Sequence, residues 1–216
     1  MSNSNFDYIF KYIIIGDAAV GKTNLLNRYI NKKFLNEYQT TIGVEFATKT
    51  VKIRDKLYRI QLWDTTGQES FRSITRNYYK NSVCAIIVYD ITCRDSFNSI
   101  KNWIEEVNEN CSKNVYMVLV GNKSDLEERR DIKKEEGEEL AQNIGIKFYE
   151  TSAKLGTNVE NVFFNSVDEI AKRLDENYYD LSDDDCGIKK NIENEKNKKN
   201  KKIKELKKPK KNKKKC

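Results

Sequence analysis

The hydrophobic pattern along the first 174 residues alternates between the period of strands and the period of helices. Short runs rich in β-branched residues indicate buried strands, and segments that alternate apolar with polar residues indicate half-exposed strands. Amphipathic segments with a period of 3.6 residues predict helices that begin near Gly21 and cover residues 96–111, 133–144 and 158–174. The predicted strands are 8–15, 44–53, 57–63, 83–89, 115–120 and 147–149.

The order of these elements predicts an α/β fold. Strands 44–53 and 57–63 flank a turn at residues 54–56 and therefore form an antiparallel hairpin. The remaining strands alternate with helices, which is typical of a parallel sheet covered on both sides. We therefore expect a mixed, mostly parallel sheet of six strands with helices on both faces and a ligand site at the carboxyl ends of the strands.

The charge is concentrated behind this region. Apolar periodicity ends near Leu174, residues 175–185 are acidic, and residues 189–215 hold 15 lysines against three glutamates. The net charge of residues 189–215 is therefore +12, whereas that of the whole chain is +7. The rest of the chain thus has a net charge of −5. Such low hydrophobicity does not support a packed core. The sequence thus predicts one domain over residues 1–174 and a disordered, acidic-then-basic tail over residues 175–216.

Composition excludes several kinds of chemistry. The chain has no histidine, which excludes Ser-His-Asp and Cys-His catalysis and histidine-ligated zinc. Its five cysteines form no C-x-x-C pair, as expected in a reducing compartment. No apolar run approaches the roughly 18 residues of a membrane span or resembles a signal peptide.

Residues 16–23 match G-x-x-x-x-G-K-[ST] between a predicted strand and a predicted helix. Backbone N–H groups in such a loop cradle phosphates, Lys22 would neutralise phosphate charge, and the Thr23 hydroxyl would hold Mg²⁺. A glycine-punctuated turn without a ligand is the alternative. The candidate phosphate-binding residues are Gly16, Asp17, Ala18, Ala19, Val20, Gly21, Lys22 and Thr23, with Asn24 beside them.

A second candidate segment follows strand 57–63. Asp64 would reach the same Mg²⁺ as Thr23, although an isolated aspartate here would more often be a strand-end cap. Gly67 can bring a backbone N–H to the γ-phosphate. The neutral amide of Gln68 can orient a water for in-line attack without adding negative charge.

Two short polar segments predict the base that is bound. Asn122 and Lys123 precede Asp125, whose carboxylate can accept hydrogen bonds from the N1–H and exocyclic amine of guanine but not from adenine. A backbone N–H of residues 152–154 can reach the guanine O6. Each segment alone is more typical of a polar loop, but their order on one sheet edge favours guanine binding. The second segment consists of Ser152, Ala153 and Lys154.

With these residues the chain resembles a small GTPase of the Ras superfamily, and within it the Rab family, over residues 8–174. The segments at 42–46, 63–69, 78–79 and 88–92 are Rab-like, and 68–76 and 133–138 are most similar to Rabs of the early secretory and recycling routes. The resemblance implies a molecular switch in which GTP orders two loops that relax after hydrolysis. It also implies that Thr41 joins the Mg²⁺ shell and that Phe34 lies against guanine, with core packing as the alternative for Phe34.

The resemblance further implies partners. These are an exchange factor, a GTPase-activating protein, a GDP-dissociation inhibitor and effectors that recognise an aromatic patch, although a strand tryptophan is more often a core residue. We expect a monomer in the cytosol and on the cytoplasmic face of Golgi, ER or endosomal vesicles, without nucleic acid. The implied effector patch consists of Ile42, Phe46, Trp63 and Tyr79.

Two residues depart from the family pattern near the γ-phosphate. Thr66 stands where alanine is usual, and Ala19 replaces a common glycine. Together with Gln68 and Lys22, Thr66 is therefore an atypical member of the candidate catalytic set. These departures leave open an alternative function, a GTP-binding scaffold with negligible hydrolysis. Measuring phosphate release in a single turnover of the wild-type and Thr66→Ala proteins distinguishes this scaffold from a hydrolysing switch.

The tail departs from the pattern as well. The chain ends in a single cysteine, Cys216, and has no C-a-a-X box. One prenyl group on Cys216 together with the adjacent lysines would anchor the chain to an anionic membrane. A solvated tail or weak nucleic-acid binding are the alternatives.

Overall fold

The computed structural model describes residues 6–35, 44–66 and 77–191. The strands are β1 Tyr8–Ile15, β2 Val44–Ile53, β3 Lys56–Thr65, β4 Cys84–Asp90, β5 Tyr116–Asn122, β6 Lys147–Glu150 and β7 Ile188–Lys190. The helices are α1 Lys22–Asn31, α2 Arg94–Asn98, α3 Ile100–Asn110, α4 Lys134–Ile144 and α5 Val159–Asp175. Two further single turns, Glu127–Arg129 and Asp184–Cys186, are 3₁₀ helices.

Six strands lie in the order β2-β3-β1-β4-β5-β6. Strand β2 runs antiparallel to β3, and the other pairs in this series are parallel. After β1 the chain forms the edge strand β2, returns through β3 beside β1 and then crosses to β4 on the other side, so the strand order reverses at β1. Ligands of open α/β sheets bind at such a reversal, outside the carboxyl ends of the strands. The predicted mixed, mostly parallel fold is confirmed.

Two apolar layers cover the sheet because side chains alternate between its faces. Phe10, Tyr12 and Ile14 of β1 pack on the side of α1 and α5, whereas Ile13 and Ile15 pack on the side of α3 and α4. All five side chains are fully buried. Strand β1 therefore forms the centre of both layers, and the loop that follows it starts from a rigid support.

The element boundaries differ in detail from the prediction. The helix expected over 96–111 is two helices that meet at Ser99. Strand β3 continues to Thr65 and β5 to Asn122, so Asp64 and Asn122 lie within strands rather than after them. Both polar residues are buried. Apolar periodicity does not include such residues, which explains the shorter prediction.

A structured C-terminal segment was not expected. Residues 176–191, here called the strap, return to the sheet, where β7 pairs antiparallel with residues 8–10 of β1. Parallel pairing of β1 with β4 begins only at Tyr12. On that side, the first half of β1 is therefore not paired with β4 and pairs with β7 instead. Tyr179, Cys186 and Ile188 join the apolar layer beside α5. The expectation of disorder therefore does not hold for residues 175–191, while residues 192–216 lie outside the described residues.

Gly187 allows the strap to pass close to β4. Its φ of +74° is in the left-handed region, and a Cβ here would lie 2.3 Å from the Val83 nitrogen. Gly145 has a similar φ of +79° with nothing within 4 Å of the equivalent Cβ. The two glycines thus share the backbone requirement but differ in the space around them.

We expect Gly187→Ala to detach the strap and Gly145→Ala to act only through backbone strain. Strain from a left-handed alanine costs about 1 to 2 kcal/mol at either position. The steric contact at Gly187 adds to it, so amide hydrogen exchange at residues 188–190 should accelerate in Gly187→Ala alone. Equal protection of β7 in the two variants would contradict the packing described for the strap.

Candidate functional site

The loop between β1 and α1 folds around the Lys22 side chain. Its ammonium group donates hydrogen bonds to the carbonyl oxygens of Gly16 at 2.8 Å and Asp17 at 2.7 Å. Lys22 is the first residue of α1 and is 5% exposed. Burial lowers its pKa to about 8, opposed by the carboxylates of Asp64 and Asp17. A ligand carrying several negative charges would raise the pKa of this lysine back toward its ordinary value.

Asn122 joins this loop to two other strand-end loops. Its Nδ2 donates to the Val20 carbonyl at 2.9 Å. Its Oδ1 accepts from the Thr151 hydroxyl at 3.1 Å and from the backbone N–H of Ala153 at 3.2 Å. Gly21 permits this arrangement, because a Cβ there would lie 2.5 Å from Asn122 Nδ2. The loops after β1, β5 and β6 are therefore fixed relative to one another by one buried amide.

Asp64 lies at the end of β3 beside the first turn of α1. The Thr23 hydroxyl donates to its Oδ2 at 2.5 Å. The carboxylate is fully buried, and its Oδ1 has no hydrogen-bond partner among the described residues. Burial raises its pKa to about 6 despite the hydrogen bond from Thr23 and the charge of Lys22. A hydroxyl and a buried, undersatisfied carboxylate are suitable oxygen ligands for a hard divalent cation.

The segment predicted to recognise the base is held by three contacts. The Ser152 hydroxyl donates to Asp125 Oδ1 at 2.7 Å. Lys123 forms an ion pair with Asp90 at 2.6 Å. Arg28 of α1 donates to the Ala153 carbonyl at 2.7 Å. The predicted residues of β5 and of the loop after β6 therefore lie together at the same sheet edge as the phosphate loop.

The positions of the remaining predicted residues divide into two groups. Asn24 is described and forms two hydrogen bonds with the backbone of Leu35. Arg28 also bonds to the carbonyl of Lys154, and Phe34 is half-buried. Thr41, Ile42, Gly67, Gln68 and Cys216 lie outside the described residues, and their roles stay predictions.

Comparison with known proteins agrees with this arrangement of loops. The Ras family model matches residues 11–172. The chain is 47% identical over 175 residues to Ras-related protein Rab-2B of Dictyostelium discoideum, an alignment that covers 81% of this chain and 87% of the relative. The chain belongs to the Ras family. Within it, this is a Rab-type small GTPase similar to Rabs of the early secretory route, as the sequence motifs indicated.

Family membership defines the activity in general terms. The protein binds guanine nucleotide, hydrolyses GTP and regulates vesicle trafficking through regulators and effectors. As a Rab it associates with endomembranes. Within residues 6–35, 44–66 and 77–191, none of the helices has the length and hydropathy of a membrane-spanning helix.

Sequence reasoning missed one support of the GTPase phosphate loop. The indole N–H of Trp103 in α3 donates to Asp17 Oδ1 at 2.7 Å. Trp103 is 4% exposed and packs in the layer beside α3. The only signal in the sequence was a tryptophan on the apolar side of a predicted helix, which indicates core packing alone. The structure adds a polar role, because the indole fixes the second residue of the loop.

The aromatic patch of this Rab is centred on Trp63 but includes Tyr78 instead of the predicted Tyr79. The ring centroids of Phe46 and Trp63 are 4.8 Å apart, and those of Trp63 and Tyr78 are 5.2 Å apart. Tyr79 is 1% exposed, and its hydroxyl donates to Glu106 of α3 at 2.9 Å. The assignment of Tyr79 to an exposed patch was therefore wrong. The sequence pair Tyr78-Tyr79 does not reveal which ring points inward.

The two atypical residues occupy distinct environments. Thr66 is 4% exposed and directly follows β3. Ala19 is exposed and has a φ of +63°, a conformation that favours glycine. The preceding Ala18 is also exposed but is not among the residues with positive φ. The alanine at position 19 therefore carries backbone strain that a glycine would not.

We expect Ala19→Gly to stabilise the protein and the matched change Ala18→Gly to destabilise it. Removing the left-handed alanine should raise the free energy of unfolding by about 0.5 to 1 kcal/mol. Glycine at position 18 should lower that free energy by a similar amount, because it adds freedom to the unfolded chain. Urea unfolding of both variants in the same excess of GDP measures the difference. A loss of stability in both would contradict strain at Ala19.

Proposed function

We propose that this Rab is a Mg²⁺-dependent switch whose nucleotide site is formed by the loops that Asn122 holds together. The contact between Thr23 and Asp64 is the observation that carries the proposal. It places a hydroxyl and a buried carboxylate side by side, next to the ammonium group of Lys22. Phosphates, metal and guanine would then occupy one continuous edge of the sheet.

The proposed metal ligands are Thr23, Thr41 and Asp64. Asp64 Oδ1, which is buried and lacks a partner among the described residues, fits a cation as its missing neighbour. When bound, Mg²⁺ would neutralise charge that develops on the β- and γ-phosphate oxygens. The two hydroxyls and one carboxylate leave room for phosphate and water ligands, which this ion prefers.

The chain's own residues would supply positioning and charge. Lys22 would exchange its bonds to Gly16 and Asp17 for phosphate oxygens. Gln68 would orient the attacking water, and the backbone N–H of Gly67 would hold the γ-phosphate. Asp125 would accept hydrogen bonds from guanine while Ser152 holds its other side. Because positioning is the main catalytic device, intrinsic hydrolysis would be slow and an activating protein would accelerate it.

The regulators follow from the same cycle. An exchange factor would release GDP, a GTPase-activating protein would complete hydrolysis, and a GDP-dissociation inhibitor would extract the protein from membranes. Effectors would bind the patch of Phe46, Trp63 and Tyr78 as a function of the bound nucleotide. The protein would act as a monomer without nucleic acid, since the excess of its positive charge lies in residues 189–215.

Changing Asp64 to asparagine tests the metal site. In the wild-type protein, removal of Mg²⁺ with a chelator should accelerate GDP release by at least about tenfold. Asp64→Asn should release GDP at the fast rate with or without Mg²⁺, because the ligand charge is gone. Release of a fluorescent GDP analogue in stopped flow measures both rates.

Asp125→Asn is the control for this experiment. It should weaken guanine binding through lost hydrogen bonds to the base, yet keep the response of GDP release to Mg²⁺. A response of Asp64→Asn equal to that of the wild-type protein would disprove the assigned metal ligand.

We further propose a lipid anchor at Cys216 supported by the lysines of residues 189–215. One prenyl chain alone binds membranes weakly, and each lysine near an anionic leaflet adds about 1 kcal/mol. The protein would thus divide between the cytosol and the cytoplasmic face of Golgi, ER or endosomal membranes.

Intact mass of the protein purified from its own cells tests this anchor. We expect a mass increase of one prenyl group that Cys216→Ser abolishes together with sedimentation on membranes. Cys93→Ser is the matched control, because Cys93 is the exposed cysteine of the described residues. An unmodified Cys216 in membrane-bound protein would contradict the proposal.

A further inference from the structure

One face of the β2-β3-β1-β7 half of the sheet is not covered by α1 and α5, which pack on the opposite face. Register places Phe46 opposite Trp63 and Thr50 opposite Arg59. It also places Ile9 of β1 between Arg59 of β3 and Lys189 of β7. Residues opposite one another in register share a face. This open sheet face consists of Ile9, Lys11, Phe46, Thr48, Thr50, Lys52, Leu57, Arg59, Gln61, Trp63 and Lys189, none of which is buried.

The open sheet face is basic. Four of its eleven side chains are cationic, namely Lys11, Lys52, Arg59 and Lys189, and none is acidic. Like charges at close range are unfavourable without a counter-charge. Burial lowers the pKa of Lys11, Cys111 opposes this shift, and the nearby ammonium of Lys189 lowers the pKa further. Lys11 and Lys189 therefore share one field, and register places Arg59 on the other side of Ile9 from Lys189.

These four cations form no ion pair with any described residue, in contrast to cations near the opposite face. Arg54 and Lys56 pair with Asp175 of α5, and Lys49 pairs with Glu160. On the open sheet face, the Lys11 ammonium instead lies 5.4 Å from the Trp63 ring centroid and donates to the Lys80 carbonyl. The Arg59 guanidinium lies 4.1 Å from the Phe6 ring centroid. The fold thus supplies carboxylates to the cations on one side of the hairpin, whereas Lys11 and Arg59 on the other side contact aromatic rings without an ion pair to a described residue.

The basic field is continuous with the aromatic patch. Trp63 belongs to both, since it contacts Phe46, Tyr78 and the ammonium of Lys11. From Phe46 to Lys52 the face extends about 20 Å along β2. A partner that covers Trp63 therefore also meets Lys11, and one that extends along the strands meets Arg59 and Lys189.

We propose that the open sheet face binds an acidic segment of an effector protein whose apolar anchor occupies the aromatic patch. The inference rests on the proposed recruitment of effectors by that patch. Carboxylates of the partner would face Lys11, Arg59 and Lys189, which have no such counter-charge within the described chain. A membrane on the same face would cover the aromatic patch and prevent its use by effectors, so an acidic protein segment is the better occupant.

The strap gives this surface a cation that lies outside the family domain. Lys189 lies beyond residues 11–172, the part matched by the Ras family model, and it reaches the face only because β7 pairs with β1. Relatives that lack this strand would not present the same charge. The strap would therefore contribute to effector selection in addition to connecting the domain to the tail.

Selection of peptides from a random phage-displayed library tests the proposal. The bait is the full-length chain loaded with a non-hydrolysable GTP analogue, with GDP-loaded chain for counter-selection. We expect acidic peptides with an aromatic or aliphatic anchor. Their affinity should fall at least about tenfold for Arg59→Glu/Lys189→Glu, through lost attraction and added repulsion, and should weaken with salt. The neutral variant Arg59→Gln/Lys189→Gln should lose less peptide affinity, because it removes attraction without adding repulsion. It replaces the charge-reversed variant if that variant does not fold.

The control is Lys113→Glu/Lys147→Glu, which changes charge equally at exposed lysines outside this face. It should alter affinity by less than about twofold. Neutral peptides, equal binding to the GDP form, or binding that the reversal leaves unchanged would overturn the proposal. If the charge reversal weakened binding to phosphatidylserine vesicles but not to peptides, the face would be assigned to lipid. That result would also overturn the proposal. Nucleotide affinity and hydrolysis of each variant are measured in parallel, so failure of the switch itself is seen separately.

Discussion

The buried side chain of Asn122 is the constraint on which the nucleotide site depends. One amide at the end of β5 satisfies polar groups of the two loops that follow β1 and β6. A buried donor or acceptor left without its partner costs about 1 to 3 kcal/mol. Loss of this amide would therefore free the Val20 carbonyl and the Ala153 N–H together. Because the same residue lies within β5, the sheet itself sets the distance between the phosphate loop and the base-binding loop.

The charged groups of the site are destabilised by the fold that holds them. Burial lowers the pKa of Lys22 to about 8 and raises that of Asp64 to about 6, so each is held in an environment that disfavours its charged form. A nucleotide and a cation supply counter-charges that compensate for the hydration lost on burial. Ligand binding then stabilises the folded state by mass action. The Trp103 indole, which holds the Asp17 carboxylate, keeps the loop in place while these charges are exchanged.

The parts of the structure that were predictable are those with local signals. Strand β1, the hairpin of β2 and β3, and the glycine-rich loop each carry a period or a motif within a few residues. The contact between Trp103 and Asp17 joins positions far apart in sequence and leaves no local trace. The choice between Tyr78 and Tyr79 depends on which ring faces α3, and two adjacent tyrosines do not specify it. The strap combines three buried apolar side chains with many aspartates, so its average hydropathy is that of a disordered segment.

Strand β1 connects the two ends of the molecule. Its carboxyl end carries the phosphate loop, and its first three residues pair with β7, from which the lysine-rich tail continues. Eight residues of strand separate these ends by about 25 Å. The described chain therefore ends beside residue 7, at the end of β1 opposite the edge that holds the nucleotide. Regulators can reach that edge, while the open sheet face lies along the side between the two ends. Because α5 already ends beside Lys56 at this same end of the sheet, the contribution of the strap is to pair with β1 and to fix the chain there as far as residue 191.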